Sequence, residues 1–266
     1  MLKAQSLDAG YDHKKILNDF KIDVSKGEIV SIIGPNGSGK STALKAMSRM
    51  IPVQGGKVFL DGKDLHSLKK KTISQMMSVL LQANEPPSDI TVEELVKYGR
   101  TPHKKWYERT NDEDLSIVGW AIEKTGLTPL KDRLVSSLSG GEGQRAWIAM
   151  SLAQRPKVLL LDEPTTYLDI AHQLQLLELV HTVNRDLGMT VVMVLHDLNQ
   201  ASIYSDKICV LSKGTIVKYG TSEEVMTKET IRSVYGVECE IDSHYQHRKP
   251  RINLVGISNH TLTGGE

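Results

Sequence analysis

Glu28-Ile29-Val30-Ser31-Ile32-Ile33-Gly34-Pro35-Asn36-Gly37-Ser38-Gly39-Lys40-Ser41 is the stretch on which the fold turns. Its first six residues are a short, nearly apolar run, the composition of a strand buried on both faces. The run stops at Gly34, and from there to Ser41 the sequence fits G-x-x-x-x-G-K-[ST]. A helix is expected from about Ser41, with Leu44, Met47 and Met50 spaced for one buried face. Strand, glycine-rich segment and helix in this order are the context of a phosphate-binding P-loop. Its backbone N–H groups turn inward around phosphates, and the helix adds its positive N-terminal end. Lys40 can reach the β- and γ-phosphates of a nucleotide, and the Ser41 hydroxyl can ligate Mg²⁺. The candidate nucleotide-binding residues here are Gly34, Pro35, Asn36, Gly37, Ser38, Gly39, Lys40, Ser41 and Thr42. The plainer reading, a glycine-rich turn capping a helix, leaves the lysine and the hydroxyl unexplained.

Outward from this loop, residues 2–7 and 21–33 read as strands with a turn at Lys26-Gly27, and 55–62 as turn, strand, turn. The middle, about 85–137, contains Pro86-Pro87 and helical periodicity from Thr91 and from Asp112, with a basic, aromatic loop from Lys97 to Arg109 between them. Strands are expected again at Val158–Leu161, Thr190–Leu195 and Ile208–Leu211, with helices near Ile170–Leu187 and Leu198–Tyr204. After about residue 240 the chain turns polar and basic, the composition of a loosely held tail.

Val158-Leu159-Leu160-Leu161-Asp162-Glu163 is an apolar strand ending in two carboxylates. Strand alternation points them in different directions. That assigns Asp162 to a Mg²⁺ shell and Glu163 to general-base work on water. Leu138-Ser139-Gly140-Gly141-Glu142 starts another helix, because Ser139 followed by Glu142 forms a capping box. Thr91 with Glu94 and Thr221 with Glu224 share that form and read as caps alone. The two glycines set the 139–142 segment apart. They clear side chains from a helix N-terminus, so an anion can approach its N–H groups. Two phosphate-binding helix starts in one chain imply a shared nucleotide.

At these residues the chain resembles the ABC ATPases: the P-loop, the LSGGE signature and the LLLDEP strand end follow the family's order. Four smaller motifs are similar too. Gln82 resembles the Q-loop glutamine, Thr166-Tyr167-Leu168-Asp169 the D-loop, His196 the switch histidine, and Tyr11 the aromatic residue that stacks on adenine. The resemblance covers about residues 1–240 and implies an α/β fold. That fold is a P-loop NTPase core of the ABC ATPase type, with an inserted helical subdomain and an antiparallel β subdomain. The helical signature subdomain would occupy about 85–155 and a C-terminal tail 241–266. It also implies a mechanism: two copies pair head to tail, with each ATP between the P-loop of one and the signature of the other. Glu163 would activate water, His196 would contact the γ-phosphate, and Gln82 would serve the Mg²⁺ shell and couple the site to membrane subunits. Ser139, Gly140, Gly141, Glu142 and Asp169 would complete the nucleotide site across the dimer.

Within that family the chain is similar to the iron–siderophore importer group, whose kin carry haem and cobalamin. The similarity rests on residues 89–102, which include Tyr98-Gly99-Arg100-Thr101-Pro102, and on 144–150 and 162–173. Two features depart from the group. Gly143 stands where a longer polar residue is usual, and the tail His244-Tyr245-Gln246-His247-Arg248-Lys249-Pro250-Arg251 lacks an acidic-glycine-proline ending. His244 and His247 have a metal-like spacing, but a solvated basic tail is the simpler reading.

Bulk properties agree. The formal net charge is +1, so no global field favours nucleic acid. The Lys97–Arg109 loop could suggest nucleic-acid binding by charge and stacking, but the family resemblance implies the edge of a permease-docking surface. Cys209 and Cys239 read as thiols in a reducing compartment. No stretch approaches the ~20 apolar residues that span a bilayer, and the N-terminus lacks a signal-peptide h-region. The expected place is peripheral, on the cytoplasmic face of the membrane. The expected partners are a second copy, integral permease subunits and, indirectly, a substrate-binding protein. A transport motor for haem, cobalamin or another substrate is the alternative. Soluble ABC ATPases of DNA repair carry long coiled coils, and translation-associated ones two motif sets; this chain has neither.

Overall fold

The computed structural model describes residues 1–12, 14–82, 89–105, 107–244 and 248–258. Pro86-Pro87, Trp106, Tyr245 and His247 lie outside them. The chain divides into two compact units, Met1–Leu65 with Val192–Glu266, and His66–Val191.

The first unit opens with the antiparallel pair β1 (Leu2–Tyr11) and β2 (Lys14–Val24), both longer than the sequence suggested. β3 (Ile29–Ile33) is buried at every position, and α1 (Lys40–Met47) follows the P-loop. Met50 does not share the buried face of Leu44 and Met47. The helix has ended, Arg49 sits at φ 61°, and Met50 is half exposed. β4 (Val53–Leu60) and the short β5 (Lys63–Asp64) complete a sheet in the order β2-β1-β4-β5, which is the antiparallel β subdomain. Gly55-Gly56 is not a turn before β4. It lies inside the strand, where the register against β1 shifts between Gln5 and Asp8. A β-bulge and a turn share a taste for glycine, so composition alone cannot separate them.

The second unit holds α2 (Lys70–Met76), β6 (Met77–Leu80), α3 (Val92–Tyr98), α4 (Asp112–Lys124), α5 (Gly140–Ala153), β7 (Val158–Asp162) and α6 (Ile170–Leu187). The helices α3, α4 and α5 pack on one another, and β6 runs parallel to β7. Capping boxes start α3 at Thr91 and α5 at Ser139. A third, Asn111 with Asp114, starts α4. The Lys69-Lys70-Lys71 run is exposed, and Lys71 donates to the carbonyl of Lys104.

β8 (Thr190–Val194) carries the chain back to the first unit, where α7 (Leu198–Tyr204), β9 (Lys207–Ser212), β10 (Thr215–Gly220), α8 (Ser222–Val225) and α9 (Lys228–Tyr235) follow. There β9 lies parallel to β3 and antiparallel to β10. Buried Cys209 lies in β9, and burial pushes its thiol up to about 12; Cys239 is also free and buried.

The C-terminal segment differs from a loose tail. β11 (Val237–Ser243) and β12 (Pro250–Ile257) form an antiparallel hairpin. It docks on α7 by polar contacts that no composition reveals. Asn199 donates to the carbonyl of Ile252 at 3.1 Å and accepts from its N–H at 2.8 Å. Ser202 donates to the carbonyl of Pro250, and the Lys249 ammonium to that of Ser205.

Candidate functional site

In the first unit, the P-loop hangs between the end of β3 and the start of α1, and neighbouring strands shape it. Gly34 sits at φ 152°, and a Cβ there would lie 2.0 Å from the carbonyl oxygen of Leu211 in β9. Gly39 sits at φ 102°, with the side chains of Leu17 and Ile16 in β2 against it. Only glycine meets both demands. The turn after β9 braces the loop from outside, where Gly214 donates its N–H to the carbonyl of Ser38 at 3.0 Å. Leu211, Gly214, Ile16 and Leu17 therefore shape the cradle. Their sequence neighbourhood carries no motif that could have announced it.

Lys40 is buried. Its ammonium donates to the carbonyls of Gly34 at 2.9 Å and Pro35 at 3.1 Å, so it is folded over the loop it belongs to. The Ser38 hydroxyl oxygen is buried without a hydrogen-bond partner among the described residues. An orphaned donor of this kind costs about 1–3 kcal/mol, and a phosphate oxygen in the cradle is the acceptor it lacks. Ser41 and Thr42 stand in the first turn of α1. Leu195 donates its N–H to the carbonyl of Ile32, which starts His196 beside the entry to the loop, with its ring exposed. Tyr11 ends β1, 40% exposed, on the hairpin whose second strand touches Gly39.

In the second unit, the parallel register of β6 and β7 sets Leu80 opposite Leu161. Two residues further on, Gln82 meets Glu163: its amide Nε2 donates to Glu163 Oε2 at 2.7 Å. Thr166 Oγ1 donates to the same oxygen at 3.2 Å. Strand alternation does not separate the two carboxylates. β7 ends at Asp162, which is buried, and Glu163 turns off in the left-handed region at φ 52°. Backbone strain of this kind clusters at functional sites.

The signature segment caps α5 as its sequence demands. The Ser139 N–H donates to Glu142 Oε2 at 2.8 Å, and the Glu142 N–H donates to Ser139 Oγ at 3.4 Å. The Ser139 N–H first, and the Ser139 hydroxyl second, hold the Glu142 carboxyl below the usual carboxylate range. Gly140 is exposed, while Gly141 is buried against the ring of His172. Asp169 caps α6, accepting from the N–H of His172 at 2.9 Å.

Residues 17–166 match the family described as ABC transporter. The chain is 47% identical over 249 residues to the iron(3+)-hydroxamate import ATP-binding protein FhuC of Bacillus subtilis (strain 168), covering 94% of this chain and 93% of that one. It is 44% identical over 240 residues to the ferric enterobactin transport ATP-binding protein FepC of Escherichia coli (strain K12), covering 90% and 89%. The chain belongs to the ABC transporter family. It is an ATPase of that family, with the fold of the ATP-binding cassettes. One solved cassette, a dimer in a post-hydrolysis state bound to ADP and phosphate, superposes with a TM-score of 0.72 at 26% identity, covering 83% of this chain and 98% of that one.

Two sequence features of this ABC ATPase now have a structural account. A Cβ on Gly99 would lie 2.2 Å from the carbonyl oxygen of Met150, so the Tyr98-Gly99-Arg100 stretch lets α3 end against α5. Arg100 is buried and bonds Asp114 Oδ1 at 2.8 Å and the carbonyl of Ala153 at 2.9 Å. His103 is hydrogen-bonded to the carbonyl of Gln154. Much of the basic loop is therefore structural, while Tyr98 and Tyr107 are exposed. Gly143, in contrast, has open space where a Cβ would go. Gly143→Ala should stabilise the chain by up to about 1 kcal/mol through helix propensity. Thermal melting would show a rise of roughly 1–4 °C, and a fall would mean the position is crowded.

Proposed function

We propose that this chain is the ATP-hydrolysing motor of an importer for iron(III)–siderophore complexes. It works as a head-to-tail pair of identical copies beneath integral permease subunits, on the cytoplasmic face of the membrane, and a substrate-binding protein delivers cargo to those permeases. Kinship with import ATP-binding proteins for ferric hydroxamate and ferric enterobactin carries the substrate reading. No helix among the described residues is long and apolar enough to cross a membrane, so force must reach the bilayer through a partner.

The residues divide the work by their chemistry. The loop from Gly34 to Thr42 and Lys40 hold the phosphates, and Tyr11 offers a ring to the adenine. Mg²⁺ would be held by Ser41, Asp162 and Gln82, where it would neutralise charge building on the phosphates. The oxygen donors suit it, and the Gln82 amide nitrogen is turned to Glu163. Glu163 takes the proton of the attacking water, His196 contacts the γ-phosphate, and Ser139, Gly140, Gly141, Glu142 and Asp169 serve the nucleotide of the partner copy. ATP then binds the two copies together, and its hydrolysis releases them, which drives the permease.

Deleting the gene should abolish growth on a ferric siderophore as sole iron source and spare growth on free iron salts. Intact uptake of ferric siderophores with loss of haem or cobalamin uptake would move the chain to those cargoes. Unchanged uptake of all three would defeat the importer reading.

A further inference from the structure

We propose that His172 is a positioning residue that locks the Thr166–Asp169 loop to the start of the signature helix, so that the two meet the partner copy as one body. The observation is a side chain with two occupied faces. On one side, His172 Nδ1 lies 2.8 Å from Asp169 Oδ1, the oxygen that also accepts the His172 N–H. Asp169 is held below the usual carboxylate range, by the backbone N–H of His172 first and its ring second. It is therefore ionised and can only accept, so Nδ1 carries the proton. On the other side, the ring fills the place of a side chain at Gly141: a Cβ there would sit 2.5 Å from His172 Cδ2 and 2.8 Å from Cγ.

The neighbours extend the same floor. Leu168 Cδ2 lies 3.8 Å from the Cβ position of Gly140. Gln173 Nε2 donates to the carbonyls of Leu168 at 3.0 Å and Thr165 at 3.3 Å, tying the loop back onto α6. The first turn of α5 thus rests on Leu168 and His172, one beneath each signature glycine. Stability alone gives little reason for this histidine. Its side chain is 37% exposed and that of Asp169 66%, and such exposed pairs contribute about 0–1 kcal/mol. Its consequence is relative orientation. A smaller residue leaves a gap beneath Gly141, and a residue without the donor frees the loop from its cap. Either change lets the two segments move separately.

This link rests on the paired-ATPase reading, and the experiment separates the two. The parent is the Glu163→Gln chain, in which ATP-dependent pairing is followed by size-exclusion chromatography. Two variants split the ring's functions: His172→Asn keeps a donor toward Asp169 without the ring, and His172→Phe keeps a ring without the donor. Each should raise the ATP concentration for half-maximal pairing by about tenfold. Binding of a fluorescent ATP analogue to the unpaired chain should stay within about twofold, because the P-loop belongs to the other unit. Melting temperatures should stay within about 3 °C. Pairing within about twofold of the parent in both variants overturns the link, as does an equal loss of analogue binding. A parent that stays monomeric defeats the pairing of the isolated chain and not the link. The link is then decided in the assembled transporter with Glu163 restored. There both variants should lower kcat at least about fivefold, with KM for ATP within about threefold, and an unchanged kcat overturns it.

Discussion

Glu163→Gln should bind ATP with near-native affinity and hydrolyse it at least ~100-fold more slowly, the lower end of general-base effects. The substitution is nearly isosteric and keeps the geometry at the strand end. The carboxylate oxygen Oε2 accepts from Gln82 Nε2 at 2.7 Å and from Thr166 Oγ1 at 3.2 Å. A carboxamide oxygen can accept both bonds, so the left-handed turn at Glu163 and its neighbours stay in place. What disappears is the ability to take a proton. Single-turnover hydrolysis and equilibrium ATP binding are the two measurements. Turnover within a few-fold of native would remove Glu163 from the role of base, and lost binding would show that the substitution disturbs more than proton transfer.

Arg100→Leu should cost about 3–5 kcal/mol of stability, the usual consequence of leaving one buried ionic partner alone. The Arg100 and Asp114 side chains are 8% and 6% exposed. Arg100 also satisfies the carbonyl of Ala153 at the end of α5, and Lys104 stands 3.5 Å from the second oxygen of Asp114. Burial raises the affinity of Asp114 for a proton; the Arg100 bond, the Asn111 N–H and Lys104 outweigh it and hold the carboxyl below its ordinary value. A depressed folded value means that the stabilisation is present above the unfolded pKa of about 3.9 and is lost as pH falls through the folded one. The gap between native protein and Arg100→Leu should therefore narrow in acid. At neutral pH the melting temperature should drop by roughly 6–20 °C. Adding Asp114→Asn, which removes the stranded charge and keeps the cap acceptor, should recover a large part of the loss. A melting temperature unchanged by Arg100→Leu would show that Lys104 alone suffices.

Motifs whose hydrogen bonds close within four residues were legible from the chain itself. Ser139 with Glu142, Thr91 with Glu94 and Thr221 with Glu224 all form the capping boxes their spacing announces. α6 spans Ile170–Leu187, the span its periodicity predicts. In each case the deciding interaction is local, so the order of residues contains it. The Asn111–Asp114 box starting α4 is equally local and went unread, because Asp is a less familiar third partner than Glu or Gln.

The sequence by itself determined the glycine-rich loop, the acidic strand end, the glycine-cleared helix start and, through them, the ABC ATPase fold. Tertiary structure decided what those segments rest on. Leu211 and Gly214 shape the P-loop from about 175 positions away in the chain, a pairing that only the sheet register creates. Gln82 reaches Glu163 because β6 and β7 run parallel in register, and Glu163 leaves its strand in a left-handed turn that alternation could not foresee. The polar segment after residue 240 becomes a hairpin because Asn199, Ser202 and its own Lys249 supply bonds to or from α7. Polar composition records only that a segment tolerates water; whether its backbone groups find partners depends on what surface the rest of the chain brings beside it.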